Sequence, residues 1–424
     1  MIDIEAQRCA GIDIGKAEVV VAVHTPGPGG GRRRQVRTYP TMTRELLMLR
    51  DWLVAEKVTR VGMEATGVYW KPVFYLLEDA VDECWLLNLQ HVKARRRGRK
   101  TDVIDAEWIC QMTEHGLVAP SLVPPPPVRR LRQLTRRRAT LVCERTREKN
   151  RMQAMLEDAG IKLGVVATDI FGVSGRRILD ALIAGQRNPH VLADLAVGKL
   201  VKKHPALIEA LTGRFDDHHG MLAGQIRDHV DYLDAAIAQL DTAVDQLIDT
   251  ELADIGPAPF RHLIDLLITL PGVAHRTAQV ILAETGGDMS VFPTPAHLAA
   301  WAGVCPGQHA SAGQRKNVGA PKANKWLRRA LGEAATASAR THTHLGARYK
   351  RLAARRGRNR AKLAVGHSIL TTTWTMITNN QPHHDLGQDH YTRTTNPDRR
   401  RRQLITQLQQ LGYDVTITPK PNAA

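Results

Sequence analysis

Four consecutive prolines, Pro124-Pro125-Pro126-Pro127, split the chain into parts that no single helix or central strand can bridge. Proline has no amide proton to donate and holds its own φ fixed, so the run acts as a stiff spacer. Before it, apolar residues come in short runs broken by glycine; after it, they recur at spacings of three and four. The expected architecture is a mixed α/β domain over residues 1–123, a basic helical and coiled-coil region over 124–258, a mostly α domain over 259–350 and a basic helical extension over 351–424.

In the first part, residues 9–25 read as an apolar strand, a turn at Gly15-Lys16 and a second strand through Val19-Val20-Val21. Residues 44–57 carry helical periodicity through Leu46, Leu49, Trp52 and Leu53. Strand character returns over 58–63 and ends at Glu64; a turn at Ala65-Thr66-Gly67 leads to a helical run over 68–77, and 84–89 is another short apolar strand. A basic stretch with Arg95, Arg96, Arg97 and Lys100 follows, then Thr101, placed to cap a helix on which Asp102 and Asp105 share a face. Asp13 lies inside the first strand, where a carboxylate is costly unless it holds a ligand or an ion pair. Asp13, Glu64, Asp102 and Asp105 gathered at one end of a sheet suit divalent metal ions, which stabilise the attacking and leaving oxygens of phosphodiester displacement. Asp102 and Asp105 alone would equally suit a helix start favoured by the macrodipole.

With 43% apolar residues in 424, the chain is globular rather than disordered. A net charge of +17 implies a polyanionic partner, without separating DNA from RNA. No apolar run approaches a membrane span and residues 1–10 carry acids where a signal peptide would be basic, so a cytoplasmic protein without membrane partners is expected. Five scattered cysteines with no CxxC pair argue against a disulfide framework or zinc ribbon and read as buried thiols.

Between residues 129 and 151, ten basic residues outweigh two acidic ones, which reads as a phosphate-tracking helix using Arg129, Arg130, Arg136, Arg137 and Arg138. Ile226, Val230, Leu233, Ile237, Leu240, Val244 and Leu247 form an apolar seam needing a partner, either the 129–157 helix of the same chain or a second protomer. Oligomerisation through this region is expected. Further on, Leu270-Pro271-Gly272-Val273-Ala274 resembles a helix-hairpin-helix turn, in which Gly272 would bring backbone amides to a phosphate. Residues 301–314 read as a loop of small residues exposing Ser311, with Lys316, Lys322, Lys325 and Arg328 downstream as phosphate contacts. A serine hydroxyl needs a base, metal or cations to become a nucleophile. His342, His344, His383 and His384 are not assigned to metal, and the basic stretches 348–362 and 399–402 suit phosphate contacts or solvated faces.

The segments Gly11-Ile12-Asp13-Ile14-Gly15-Lys16, Glu64-Ala65-Thr66-Gly67-Val68-Tyr69-Trp70 and Lys100-Thr101-Asp102-Val103-Ile104-Asp105-Ala106 resemble, in order and context, those of the DEDD-type insertion-sequence transposases, a family of bridge-RNA-guided recombinases. The run Ala310-Ser311-Ala312-Gly313, with Gly319, Asn324 and Leu327-Arg328 after it, is similar to the family's Ser-Ser-Gly-Gly region, although Ala310, Ala312 and Gln314 depart from the commoner pattern. Asp385-Leu386-Gly387 and the helix over 399–413 extend the likeness. The resemblance implies a RuvC-like (RNase H-like) first domain, a C-terminal transposase domain, and Asp13, Glu64, Asp102 and Asp105 as ligands of Mg2+ or Mn2+. It further implies Ser311 as the nucleophile that becomes a phosphoserine, donor and target DNA as substrates, a structured non-coding guide RNA, a dimer or tetramer, and a nucleoid-associated location. Two other readings stay open: a metal-dependent endonuclease with no covalent intermediate, and a non-enzymatic RNA-binding scaffold whose acids are structural.

Overall fold

The computed structural model describes residues 4–65, 67–88, 101–305, 307–311, 314–318, 324–393 and 397–418. Two compact units meet at the proline run, Met1–Pro124 and Pro125–Ala424.

The first unit is built on a five-stranded mixed sheet. Its strands are β1 (Cys9–Ile14), β2 (Glu18–Pro26), β3 (Arg32–Pro40), β4 (Arg60–Glu64) and β5 (Glu83–Leu87), in the order β3-β2-β1-β4-β5. β1, β2 and β3 form an antiparallel meander, while β4 and β5 join in parallel. Both faces of β2 are buried, so its valines run without alternation. Ala10, Ile12, Val19, Val21 and Val23 pack against helix α1 (Thr43–Ala55) through Leu46, Leu49 and Leu53, and against α2 (Trp70–Leu77) through Val73, Phe74 and Leu77. Cys9, Val20 and Ala22 face the other way, onto Ala106 and Cys110 of α3 (Asp102–Glu114).

Edge strand β3 was not anticipated. Arg33, Arg34 and Arg37 are exposed and only Tyr39 is buried, against Trp52 at 6.0 Å between ring centroids, so the segment lacks the apolar signature of an inner strand. β5 is also shorter than the run 84–89 implies, and residues 89 and beyond, with Arg95, Arg96, Arg97 and Lys100, lie outside the described residues.

Among its described residues the second unit is mainly helical, with one hairpin. Its long elements are α4 (Pro126–Asp158) and α8 (Asp217–Thr250), antiparallel partners along most of their length. The prolines start α4 rather than lying outside it: Pro125 is the cap and Pro126 opens the first turn, where a missing amide proton costs nothing. The seam of α8 is met by α4 of the same chain, with Leu141 against Leu233 and Ile237. The far end of this pair is closed by a globule of short helices, α5 (Val173–Ile183), α6 (Pro189–Asp194) and α7 (His204–Ala210), packed around Leu156, Ile178, Leu182 and Leu207.

Beyond α8 come α9 (Phe260–Ile268), α10 (His275–Thr285), α11 (Pro295–Trp301), the hairpin β6 (Gly307–Ser311) and β7 (Gln314–Val318), then α12 (Lys325–Ser338), α13 (His344–Arg356), α14 (Arg358–Asn379) and α15 (Pro397–Gln410). Among these, α14 is the axis on which α11, α12 and α13 pack, and α13 runs unbroken through position 350. Among the described residues no helix is long and apolar enough to cross a membrane. Of the five thiols, Cys9 and Cys110 are buried, whereas Cys84, Cys143 and Cys305 are half-buried.

Candidate active site

Two glycines decide where the first unit's acids lie. Gly11 of β1 and Gly62 of β4 are paired across the parallel ladder. A Cβ on Gly11 would fall 2.1 Å from the Cys110 amide nitrogen and 2.5 Å from the Ala106 carbonyl oxygen, and one on Gly62 would fall 1.9 Å from Thr113 Oγ1. Helix α3 therefore rests directly on strand backbone, at a separation no other residue permits. Side chains alternate along a strand, so the next positions on this face are Asp13 and Glu64. The last paired residues are Ile12 and Met63, which makes the two acids the immediately following residues of neighbouring parallel strands.

Helix α3 runs against β1. The Sγ atoms of Cys110 and Cys9 are 3.5 Å apart, and Ala106 sits over Gly11 one turn earlier, so the helix start with Asp102 and Asp105 is carried toward the Asp13 end. Thr101 caps it as expected, its Oγ1 accepting from the Ile104 amide at 3.3 Å. Asp105 is buried, Asp13 and Glu64 are half-buried and Asp102 is exposed. At the other end, the last residue Glu114 puts negative charge where the helix dipole is already negative. His24 Nδ1 meets its carboxylate at 2.8 Å, Arg32 forms an ion pair with it, and the Glu5 and Ala6 amides donate to its carbonyl. These contacts pin α3 in place from behind the acids.

The donor set, carboxylate oxygen throughout, has the chemistry of a magnesium or manganese site. Among the described residues no three metal-binding side chains stand close enough to share one ion. The structure thus brings Asp13 and Glu64 side by side and directs Asp102 and Asp105 to the same sheet end, without closing the four into a ligand shell.

In the second unit the arginines of α4 divide. Arg130 pairs with Glu251, the C-cap of α8, Arg138 with Asp241 of α8, and Arg136 with Glu284. Arg137 is exposed and Arg129 partly so. The one-sided charge of this helix is therefore answered largely within the chain, by acids that lie far off in sequence, and Arg130, Arg136 and Arg138 each have such a partner.

Glu284 was missed by sequence reasoning, though a lone glutamate at the end of an apolar helical run is its only signal. It is fully buried. Arg136 donates to it through Nε and Nη2, both at 2.7 Å, and Asn324 Nδ2 donates at 2.6 Å. Arg132 donates to the Ala283 and Glu284 carbonyls at 2.9 and 2.8 Å. Asn324 in turn caps α12, its Oδ1 accepting from the Trp326 and Leu327 amides at 3.1 Å. One carboxylate so ties α4 and α10 to the start of α12, the first described residues after β7.

Ser311 ends β6 and pairs with Gln314 of β7, so the segment read as a loop is a hairpin. Its sequence, with no alternating apolar residues, carries no strand signal. The side chains of 306–323, those of Ser311, Lys316 and Lys322 included, lie outside the described residues. Lys325 is exposed and stands over the Trp326 ring at 4.9 Å, and Arg328 is half-buried beside it.

The turn at Gly272 is also differently used. Its φ is +91°, and a Cβ would meet the Ala334 carbonyl oxygen at 2.3 Å and the Ser338 amide at 2.8 Å. Glycine is required here for the contact with α12, so a phosphate is not needed to explain it.

A mixed α/β sheet with acids at its strand ends, followed by a helical unit with a serine hairpin, defines the class; the comparisons supply the family. Residues 10–161 match the DEDD model of IS110 transposases, described as "Transposase", and residues 264–350 match "Transposase IS116/IS110/IS902 family". The chain belongs to this family of insertion-sequence transposases. It is 25% identical over 258 residues, 60% of the chain and 64% of the relative, to a probable family 20 transposase of Pseudomonas aeruginosa. It is 32% identical over 150 residues, 35% of the chain and 36% of the relative, to an insertion element IS110 protein of Streptomyces coelicolor, and 26% identical over 251 residues, 59% and 62%, to the transposase for insertion sequence element IS1328 of Yersinia enterocolitica. The chain spans less than two thirds of the length of these curated relatives.

Proposed function

We infer that this chain is a DNA transposase that exchanges strands through a covalent phosphoserine at Ser311, with Asp13, Glu64, Asp102 and Asp105 on a RuvC-like scaffold as the acidic centre. The observation that carries the reading is the adjacent register of Asp13 and Glu64 beneath the first turn of α3, in a chain of the transposase family. Four carboxylates directed to one sheet end repel one another in the absence of cations. A divalent cation bound there supplies positive charge to the oxygens of the reacting phosphodiester.

In the reaction, Ser311 Oγ forms a bond to phosphorus as the bond to the 3′ oxygen breaks; the serine proton goes to solvent and the strand leaves as a 3′ hydroxyl. The phosphoserine keeps the phosphate ester, so a 3′ hydroxyl of another strand can reverse the step with no outside energy source. A structured RNA pairing with donor and target DNA would choose the sequence, leaving the protein to read shape and phosphate. An oligomer would bring two DNA partners together.

The test is to incubate the chain with donor DNA and divalent metal, denature, and look for protein linked to DNA. The expected result is a denaturation-resistant adduct with the wild-type chain that alkali releases, as it does a phosphoserine, and none with Ser311→Ala. Cleavage without any adduct would mean a metal-dependent endonuclease instead.

A further inference from the structure

Gly332 stands in the interior of α12, where glycine is the poorest helix former after proline. Two neighbouring helical glycines have packing reasons: Gly366 of α14 holds its Cβ position 3.3 Å from Leu331, and Gly346 of α13 lies against the Thr341 carbonyl. At Gly332 a Cβ would meet nothing within 4 Å. Among the described residues no contact accounts for the choice.

What lies above it is a groove between α12 and α14. Gly332 floors a cavity of 530 Å³ whose rim carries Arg328, Arg340 and Lys362, and it also floors an adjoining cavity of 260 Å³ that reaches Val304, close before the hairpin of Ser311. The one acid lining the larger cavity, Glu333, is engaged by Arg329 at 2.8 Å. Thr336 adds a hydroxyl on the same side. Room at the floor, cations at the rim and a single, already paired anion suit a chain of phosphates.

We propose that the α12–α14 groove over Gly332 is a binding site for a nucleic-acid backbone, with Arg340 and Lys362 contacting its phosphates and Gly332 leaving the space the backbone occupies. The inference rests on the reading above in taking nucleic acid as the substrate, but it adds a site that the acids and Ser311 do not need. DNA and RNA share the phosphodiester, so the experiment carries an arm for each.

Fluorescence anisotropy of the full chain against a labelled DNA duplex and an RNA hairpin, over a range of KCl, tests it. Gly332→Gln should weaken binding about tenfold in at least one arm, and Arg340→Gln with Lys362→Gln should lower the slope of log K against log salt by about two, near 0.9 per phosphate. Gly332→Ala should raise the melting temperature, because nothing opposes the added methyl, which separates the groove from the stability of the helix. Loss in one arm alone names the strand that lies there. Folded variants with wild-type affinity and slope for both nucleic acids, or a wild-type chain that binds neither, would overturn the proposal. If the groove variants lose binding while Ser311→Ala still transfers strands, the groove stands and the phosphoserine reading falls.

Discussion

At the residue scale, the two glycines under α3 make a sharper claim than the acids themselves. Gly11→Ala puts a methyl against the backbone of Cys110, which side-chain adjustment cannot relieve, so a loss of about 2–3 kcal/mol in unfolding free energy is expected. Urea titration measures it, and unchanged stability would mean α3 does not rest on the sheet as described. Glu284 gives the counterpart in the second unit. Glu284→Ala leaves Arg132 and Arg136 facing an empty buried position and uncouples Asn324; because Arg136 is itself about a third exposed, the expected cost is about 3 kcal/mol, the low end for a broken buried pair. Asp13, Glu64, Asp102 and Asp105 were all recognisable from their local segments. Glu284 was not, because its partners at 132, 136 and 324 are brought to it only by tertiary packing.

At the scale of elements, what could be read in advance follows from how much of each element's stability is local. Strands β1 and β4 and helices α1 and α2 carry their own apolar pattern, and Thr101 its own cap. Edge strand β3 and the Ser311 hairpin do not: one is rich in arginine along an edge with no neighbouring strand, and the other is a pair of strands whose sequence has no apolar alternation. The seam of α8 was legible, but not that α4 of the same chain covers it, since either partner would satisfy the same spacing. The C-terminal layer makes a pH prediction. Burial pushes the His344 imidazole of α13 below its ordinary range, helped by His390 and Arg348; burial and Arg348 do the same for His367 of α14, and burial and His384 for His383. A histidine with a depressed folded-state pKa takes up a proton more readily when unfolded, so its stabilising share is intact above about pH 6.5 and is lost as the pH falls below that. Hydrogen-exchange protection factors in α13 and α14, taken against the intrinsic exchange rate at each pH, should fall between pH 7 and 5, with a smaller change in His367→Gln. Equal protection across that range would contradict the assignment.

For the whole molecule, the net charge of +17 is less one-sided in space than in sequence, because the arginines of α4 spend much of their charge on Asp241, Glu251 and Glu284. On the proposed reading, a polyanion is met by cations such as Arg137, Lys325, Arg340 and Lys362. On the same proposed reading, the acids of the first unit and the Ser311 hydroxyl of the second act on the same scissile bond. The most direct measurement is the rate of plasmid rearrangement, in cells supplied with the element's own ends, for the wild-type chain, Asp13→Asn and Ser311→Ala, with melting temperatures confirming that each variant is folded. Rearrangement falling by at least a hundredfold in both variants is the expected result; a folded Asp13→Asn chain that rearranges plasmids at the wild-type rate would contradict the account.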